Sequence, residues 1–207
     1  MSKRFVTRLV IAASVAAALE LAAQPASALK AAPSRETAKQ IPSLIRTDYY
    51  EVRGATAEAL LASMRAHQRS TNHASTEWHI DWNYEYLLKP DECILRSFNV
   101  RVLIRYTLPH WVDSENAGKA LQGEWQRYFG ALQLHESGHG GFGLGAGKEM
   151  VRLVNSRDWR AADPKELKAR LDEECEKTLR EFRAREAAYD EKTDHGRTQG
   201  ARLKTTP

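Results

Sequence analysis

Two histidines four positions apart, with a glutamate directly after the first, stand in the stretch LHESGHGGFGLGAGKEM between Leu134 and Met150. On a helix, positions four apart lie one turn above each other. Both imidazoles, His135 and His139, can therefore reach one ion at about 2 Å from each nitrogen. Glu136 points beside that ion, where it can take the proton of a metal-bound water and pass it to a leaving amine. Zinc suits this set, because it accepts nitrogen ligands and keeps a position open for water. His135 and His139 are thus the expected metal ligands and Glu136 the expected catalytic base. The competing reading is a solvated helix face carrying two unrelated histidines.

A catalytic zinc usually takes three protein ligands. The metzincin extension places another histidine six residues after the second, but position 145 is glycine, which excludes that class. His195, in the polar TDHGRTQG stretch after a long helical pattern, is the expected third ligand. Glu173, Glu174 and Glu176 are the alternatives, followed by Glu149. The last lies about 15 Å from His139 along an unbroken helix and reaches the ion only if the chain folds back. Gly138, Gly140, Gly141, Gly143, Gly145 and Gly147 each cost about 1 kcal/mol relative to alanine inside a helix. Either they let a neighbouring strand or helix pack close, or the helix breaks among them.

The surrounding pattern supplies the elements. TDYYEVRG reads as a short strand ended by Gly54, and TAEALLASMRAHQ as an amphipathic helix with Thr56 as N-cap. EWHIDWNYEYLL alternates: Trp78, Ile80, Trp82, Tyr84 and Tyr86 share one face, and His79, Asp81, Asn83 and Glu85 the other, as in a half-buried strand. After the turn signal KPDE, a second long strand runs from Cys93, and LPHW ends it because Pro109 cannot donate to a ladder. From Ser114 helical spacing takes over and continues through the glycines to KEMVRLVNS. A second long helix opens at Pro164, where proline is tolerated, with an inward stripe at 167, 171, 175, 179 and 182. Strands first and helices after them predict an α+β domain. Its small antiparallel sheet is expected to pack on the long helix of His135 and on the second, C-terminal one.

The 207 residues suit one domain with tails. Lys3, Arg4 and Arg8, an apolar run from Val10 to Leu19, and then Ala26-Ser27-Ala28 read as a secretory signal peptide over residues 1–28. A membrane anchor would need about 20 apolar residues, and Glu20 interrupts the run. Residues 29–46 read as a flexible lead-in, 47–201 as the domain and 202–207 as a tail. Removing the leader takes away Lys3, Arg4, Arg8 and Glu20 and leaves 28 basic against 26 acidic residues, a net +2. These charges are interspersed, so no nucleic-acid partner is expected, and none of the membrane once the leader is gone. Cys93 and Cys175 make an even number in an oxidising compartment, which predicts a disulfide. It would close a loop of about 80 residues, worth roughly 4 kcal/mol. A reactive thiol or a metal ligand is the alternative.

The segments CILRSFNVRVLIRYTLPHW, LHESGH and YDEKTDHGRTQG, in this order, resemble a bacterial family described as predicted secreted zinc-dependent proteases, over roughly residues 47–201. The resemblance implies a zincin-like domain in which His135, Glu136 and His139 carry the metal chemistry. It places a further motif on Tyr189, Asp190, Thr193, His195, Gly196, Gln199 and Gly200, and it pairs Cys93 with Cys175. The chain departs from the family in its glycines after the first motif, where alanines are usual, and in LPHW, where an arginine often follows the proline. The expectation is a secreted or periplasmic zinc metallopeptidase of the bacterial envelope. It would cleave a protein or peptide substrate through a Glu136-activated, zinc-bound water. Tyr189 or Asp190 would stabilise the oxyanion or stand behind the ligands, as would His195 if it is not itself one. The rivals are a non-catalytic zinc-containing periplasmic binding module, and an interaction protein using the Trp/Tyr-rich strand as an edge.

Overall fold

In the computed structural model, residues 41–67 and 73–205 are described. The expected signal peptide and residues 29–40 of the expected lead-in lie outside them. The described chain runs β1 (Ser43–Val52), α1 (Ala57–His67), β2 (Ser75–Leu88), β3 (Cys93–Trp111), α2 (Lys119–Asn155), β4 (Arg160–Ala161) and α3 (Pro164–Thr193). The class is α+β, as the element order requires. No helix among the described residues is long and apolar enough to cross a membrane.

β2 and β3 form an antiparallel hairpin that places Trp78 opposite Ile104 and Trp82 opposite Val100, closed by a bond from Lys89 N–H to the Glu92 carbonyl at 2.8 Å. β1 lies on the other side of β3 and runs parallel to it, with Ile45 beside Ile104 and Val52 beside Trp111. The sheet is therefore mixed, not antiparallel as expected. Alternation fixes which residues share a face but not the direction of a strand, and here α1 separates β1 from the hairpin. β1 also begins at Ser43, inside the segment expected as a lead-in, because Ser43 to Arg46 pair with Val102 to Arg105. β3 continues through Pro109 to Trp111. Beyond Thr107 it has lost β2 as a neighbour, and a proline costs no ladder bond where its nitrogen faces an unpaired side.

α2 is one unbroken helix of 37 residues, so the glycines do not break it. They form two rows on its surface. A methyl group at Gly143 would lie 2.9 Å from Trp78 Cβ, one at Gly147 2.7 Å from Val102 Cγ2, and one at Gly140 against the Tyr106 hydroxyl. That row, spaced by three and four residues, lets α2 lie close on the sheet. On the other row, Gly138 meets Tyr189 and Gly145 meets Phe182, at 2.5 and 2.7 Å from a methyl group, and α3 packs there. α3 starts as Pro164 suggests: Asp163 caps it, accepting from the N–H groups of Lys165 and Glu166 at 2.8 and 2.9 Å.

One apolar cluster fills the space between the sheet and the two long helices, around Val102, Met150, Trp159 and Leu171; a second joins β1 and α1 to the start of α2, around Val52, Leu60, Trp111 and Tyr128. Cys93 and Cys175 are both in the first cluster and are free thiols. This corrects the expected disulfide. Burial raises both thiols, Cys175 to about 12 and Cys93 in the same direction, so each stays protonated and packs as a small apolar side chain.

The glycine rows separate two kinds of position. Gly143→Ala should destabilise the protein by about 1–2 kcal/mol, since the Trp78 stem cannot swing aside. Gly141, with nothing within 4 Å of an added methyl group, should gain up to about 1 kcal/mol as alanine. Urea unfolding of the two variants checks this; shifts of the same sign would contradict the close packing.

Candidate metal centre

His135 and His139 project from the same face of α2 with their rings edge to face, and their Nε2 atoms are 3.2 Å apart. α3 brings a third donor atom to the same point. Asp190 Oδ1 lies 3.0 Å from His139 Nε2 and 3.2 Å from His135 Nε2. These three residues are the one group among those described that could hold a metal ion in this way. Four donors around a tetrahedral zinc, at bond lengths near 2.0–2.1 Å, sit about 3.3 Å from one another. The observed triangle is close to one face of that arrangement.

Protonation makes the same point. His139 Nδ1 is 3.1 Å from Glu186 Oε1, and His135 Nδ1 is 3.0 Å from Gln199 Oε1. Both outer nitrogens thus face acceptors, and with the hydrogens held there each Nε2 can turn a lone pair inward, as a metal-ligating imidazole does. In that tautomer two lone pairs and a carboxylate oxygen converge on one point, an arrangement a cation satisfies. The donor set fits a divalent transition metal.

Glu186 is fixed in turn by Trp78 Nε1–H at 2.9 Å and Arg183 at 2.9 Å. Burial works to raise its carboxyl, but the bonds from His139, Trp78 and Arg183 outweigh it and hold it below the usual carboxylate range. His139 is desolvated as well, yet Glu186, Asp190 and Glu136 raise its pKa. Tyr189 stacks on His135, ring centroids 5.2 Å apart, with its hydroxyl 3.3 Å from the His135 carbonyl and 3.2 Å from Gln199 Oε1. Through these contacts it braces the imidazole.

Glu136 is buried next to the pair without joining it. Thr76 on β2 donates to its Oε2 at 2.5 Å. Burial raises the Glu136 carboxyl, against the pull of Thr76 and the two histidines. His135, Glu136, His139, Glu186 and Asp190 all line a groove of roughly 1350 Å³. The histidines are nearly covered, whereas the Asp190 side chain is 29% exposed and forms the open side.

His195, expected as the third ligand, is not in the triangle. Its side chain is 59% exposed and its Nδ1 is 3.7 Å from the other Asp190 oxygen. Asp194 and His195 are left-handed, with φ of 49° and 50°, and His195 lines the same groove without joining the three donors. Gly196, at φ 82°, then lies on His135, where a methyl group would be 2.8 Å from Cγ. The alternatives are also elsewhere. Glu149 pairs with Arg152 and Glu174 with Arg157, while Glu173, Glu174 and Glu176 precede Asp190 by at least 14 residues, about 20 Å of helix. Gln199 enters only through the motif of the family resemblance, and Glu186 and Thr76 are assigned no role from the sequence. Glu186 was within reach of it: it stands four residues before Asp190, the same one-turn spacing as the two histidines.

Arg202 to Thr205, expected as part of a tail, form a wall of this groove. Arg127 donates to the carbonyls of Gly200 and Arg202 at 2.8 and 2.5 Å, Glu124 Oε1 accepts from Lys204 N–H at 2.7 Å, and Leu203 is buried.

An α+β domain with a His–His–Asp group at the junction of two helices is what the fold and this geometry define. The chain belongs to the family "Bacterial protein of unknown function (DUF922)", which matches residues 47–196. No curated protein and no solved structure matches it.

Two outcomes follow from the geometry. In metal titrations followed by calorimetry, Asp190→Ala should lose affinity by orders of magnitude and Glu186→Gln by about 10–100-fold, with His195→Ala close to wild type; a large loss in the last alone would restore His195 as a ligand. Separately, Arg127 and the Lys204 N–H hold the Glu124 carboxyl down at about 2, from an ordinary 4.5. A depressed carboxyl stabilises the fold above its unfolded pKa and stops doing so as pH falls through the folded one. The Tm gap between wild type and Glu124→Gln should therefore be constant above about pH 5 and close toward pH 2.

Proposed function

We propose that the protein is an exported zinc-dependent metallopeptidase of zincin type, acting on peptide bonds. The observation that carries this reading is the inward convergence of His135 Nε2, His139 Nε2 and Asp190 Oδ1, with a buried carboxylate, Glu136, beside it in an open groove. Bound there, zinc would supply Lewis acidity to the reacting carbonyl and to the attacking water.

The rest of the chemistry belongs to the chain. Thr76 occupies Glu136 Oε2, so Oε1 is the oxygen left to take a proton from water and return it to the leaving amine. Burial raises the Glu136 carboxyl, which brings it nearer to a base that can also act as the acid. Gln199 and Glu186 keep the imidazoles in one orientation and one tautomer. The groove exceeds the roughly 300–1,000 Å³ usual for small-molecule pockets and suits an extended chain. Export rests on the leader pattern of residues 1–28.

Glu136→Gln preserves size and hydrogen bonding but cannot accept the proton. It should retain one zinc per chain and lose about 10²- to 10⁴-fold in kcat on a peptide selected from a library with the wild type. Wild-type protein that binds zinc and cleaves no member of the library would favour the binding module.

A further inference from the structure

We infer that the outer edge of β1 is a self-complementary pairing surface for a second copy of this chain, joined antiparallel about a two-fold axis at Thr47. β1 is the apolar outer strand of its sheet: Leu44, Ile45 and Tyr49 are 64%, 52% and 58% exposed. Its one strand neighbour among the described residues is β3. An exposed strand edge of this composition is a template for another strand unless something blocks it.

The charges of β1 do not block such pairing; they direct it. Arg46 and Asp48 flank Thr47, and Ile45 and Tyr49 flank them in turn. Two copies paired antiparallel about Thr47 place Arg46 opposite the second copy's Asp48, and Ile45 opposite its Tyr49. Each contact occurs twice by symmetry. Opposite charges and a β-branched residue facing an aromatic are favourable cross-strand pairs. Parallel pairing in register would set Arg46 on Arg46 and Asp48 on Asp48, and a two-residue slip toward either end would centre the axis on one of these charges, like facing like. Period-2 alternation keeps facing residues on one side of the sheet, so both kinds of contact form at once.

Within each chain the ions are already prepared. Arg46 Nε is 2.6 Å and Arg105 Nε 3.5 Å from the two oxygens of Asp48. Pairing would extend this into a chain of alternating charges across the axis, and networks contribute more than isolated exposed pairs. The partner is thus the same strand from another copy, joined without use of the metal-site groove, and the inference does not depend on the proposed activity.

The test is sedimentation velocity on the full chain over a concentration series. Wild type should show a reversible dimer. Arg46→Asp makes the edge acidic at both positions and Asp48→Arg makes it basic at both, so each alone should associate at least about tenfold more weakly. An equimolar mixture of the two variants should form a heterodimer, because each reversed charge then meets its opposite. Misfolding cannot produce that recovery. Thr47→Cys supplies an independent reading, since Thr47 faces its own copy and mild oxidation should link the dimer covalently. A wild type that stays monomeric to about 100 µM, or that takes up extended peptides along this edge instead, would overturn the inference. So would a mixture no more associated than its components, or a Thr47→Cys protein that does not cross-link.

Discussion

Three electron-rich atoms about 3 Å apart in a largely buried pocket repel one another, and two helices must be pressed together to put them there. His135 and His139 belong to α2 and Asp190 to α3, so the triangle exists only while the helices are docked. Each imidazole is also restrained from behind, by Glu186 and by Gln199. Those outer bonds keep the lone pairs aimed at a common point. A cation bound at that point would tie the helices to each other, and its affinity would be coupled to whatever holds them together.

What holds them is largely side-chain volume that the sequence leaves out. Gly143 lets α2 settle on the Trp78 stem, and Gly138 lets it settle on Tyr189. Because α2 lies so close to β2, Thr76 reaches Glu136; because α3 lies so close to both, the Trp78 indole reaches Glu186. Arg183 stacks on that indole with its guanidinium carbon 3.4 Å from the ring centroid, and donates to the Trp78 carbonyl at 2.7 Å. The orientation of His139 is thus set through glycine, indole and carboxylate in succession. Loss of contact at any of them would be felt at the donor atoms.

His135, Glu136 and His139 could be read from the sequence because helical periodicity alone puts four-residue neighbours on one face. Glu186 and Asp190 obey the same arithmetic, but they stand among so many charges that spacing did not single them out. His195 is conspicuous in the sequence as a histidine in a polar loop; the left-handed backbone at Asp194 and His195 is not encoded by composition. Gln199 is uncharged and acts only through a neighbour distant in the chain. The alternating strands were legible from period-2 patterning, whereas the direction of β1 was not, since alternation is the same in either direction. The thiols illustrate a different failure. Counting cysteines says that a bond is chemically open to them, not that the core joins them.

β1 and β3 pair at a constant offset of 59 positions, whereas β2 and β3 are joined by a four-residue turn. Closing the short loop costs far less chain entropy than bringing β1 back across α1 and β2, so the hairpin should form early and β1 should arrive late. Until it does, the β1 side of β3, with Ile104 and Leu108, is bare. The slow step in folding this protein then falls on the same strand whose other edge has no strand neighbour among the described residues. During synthesis, that interval is when the chain is most exposed to mispairing with its neighbours.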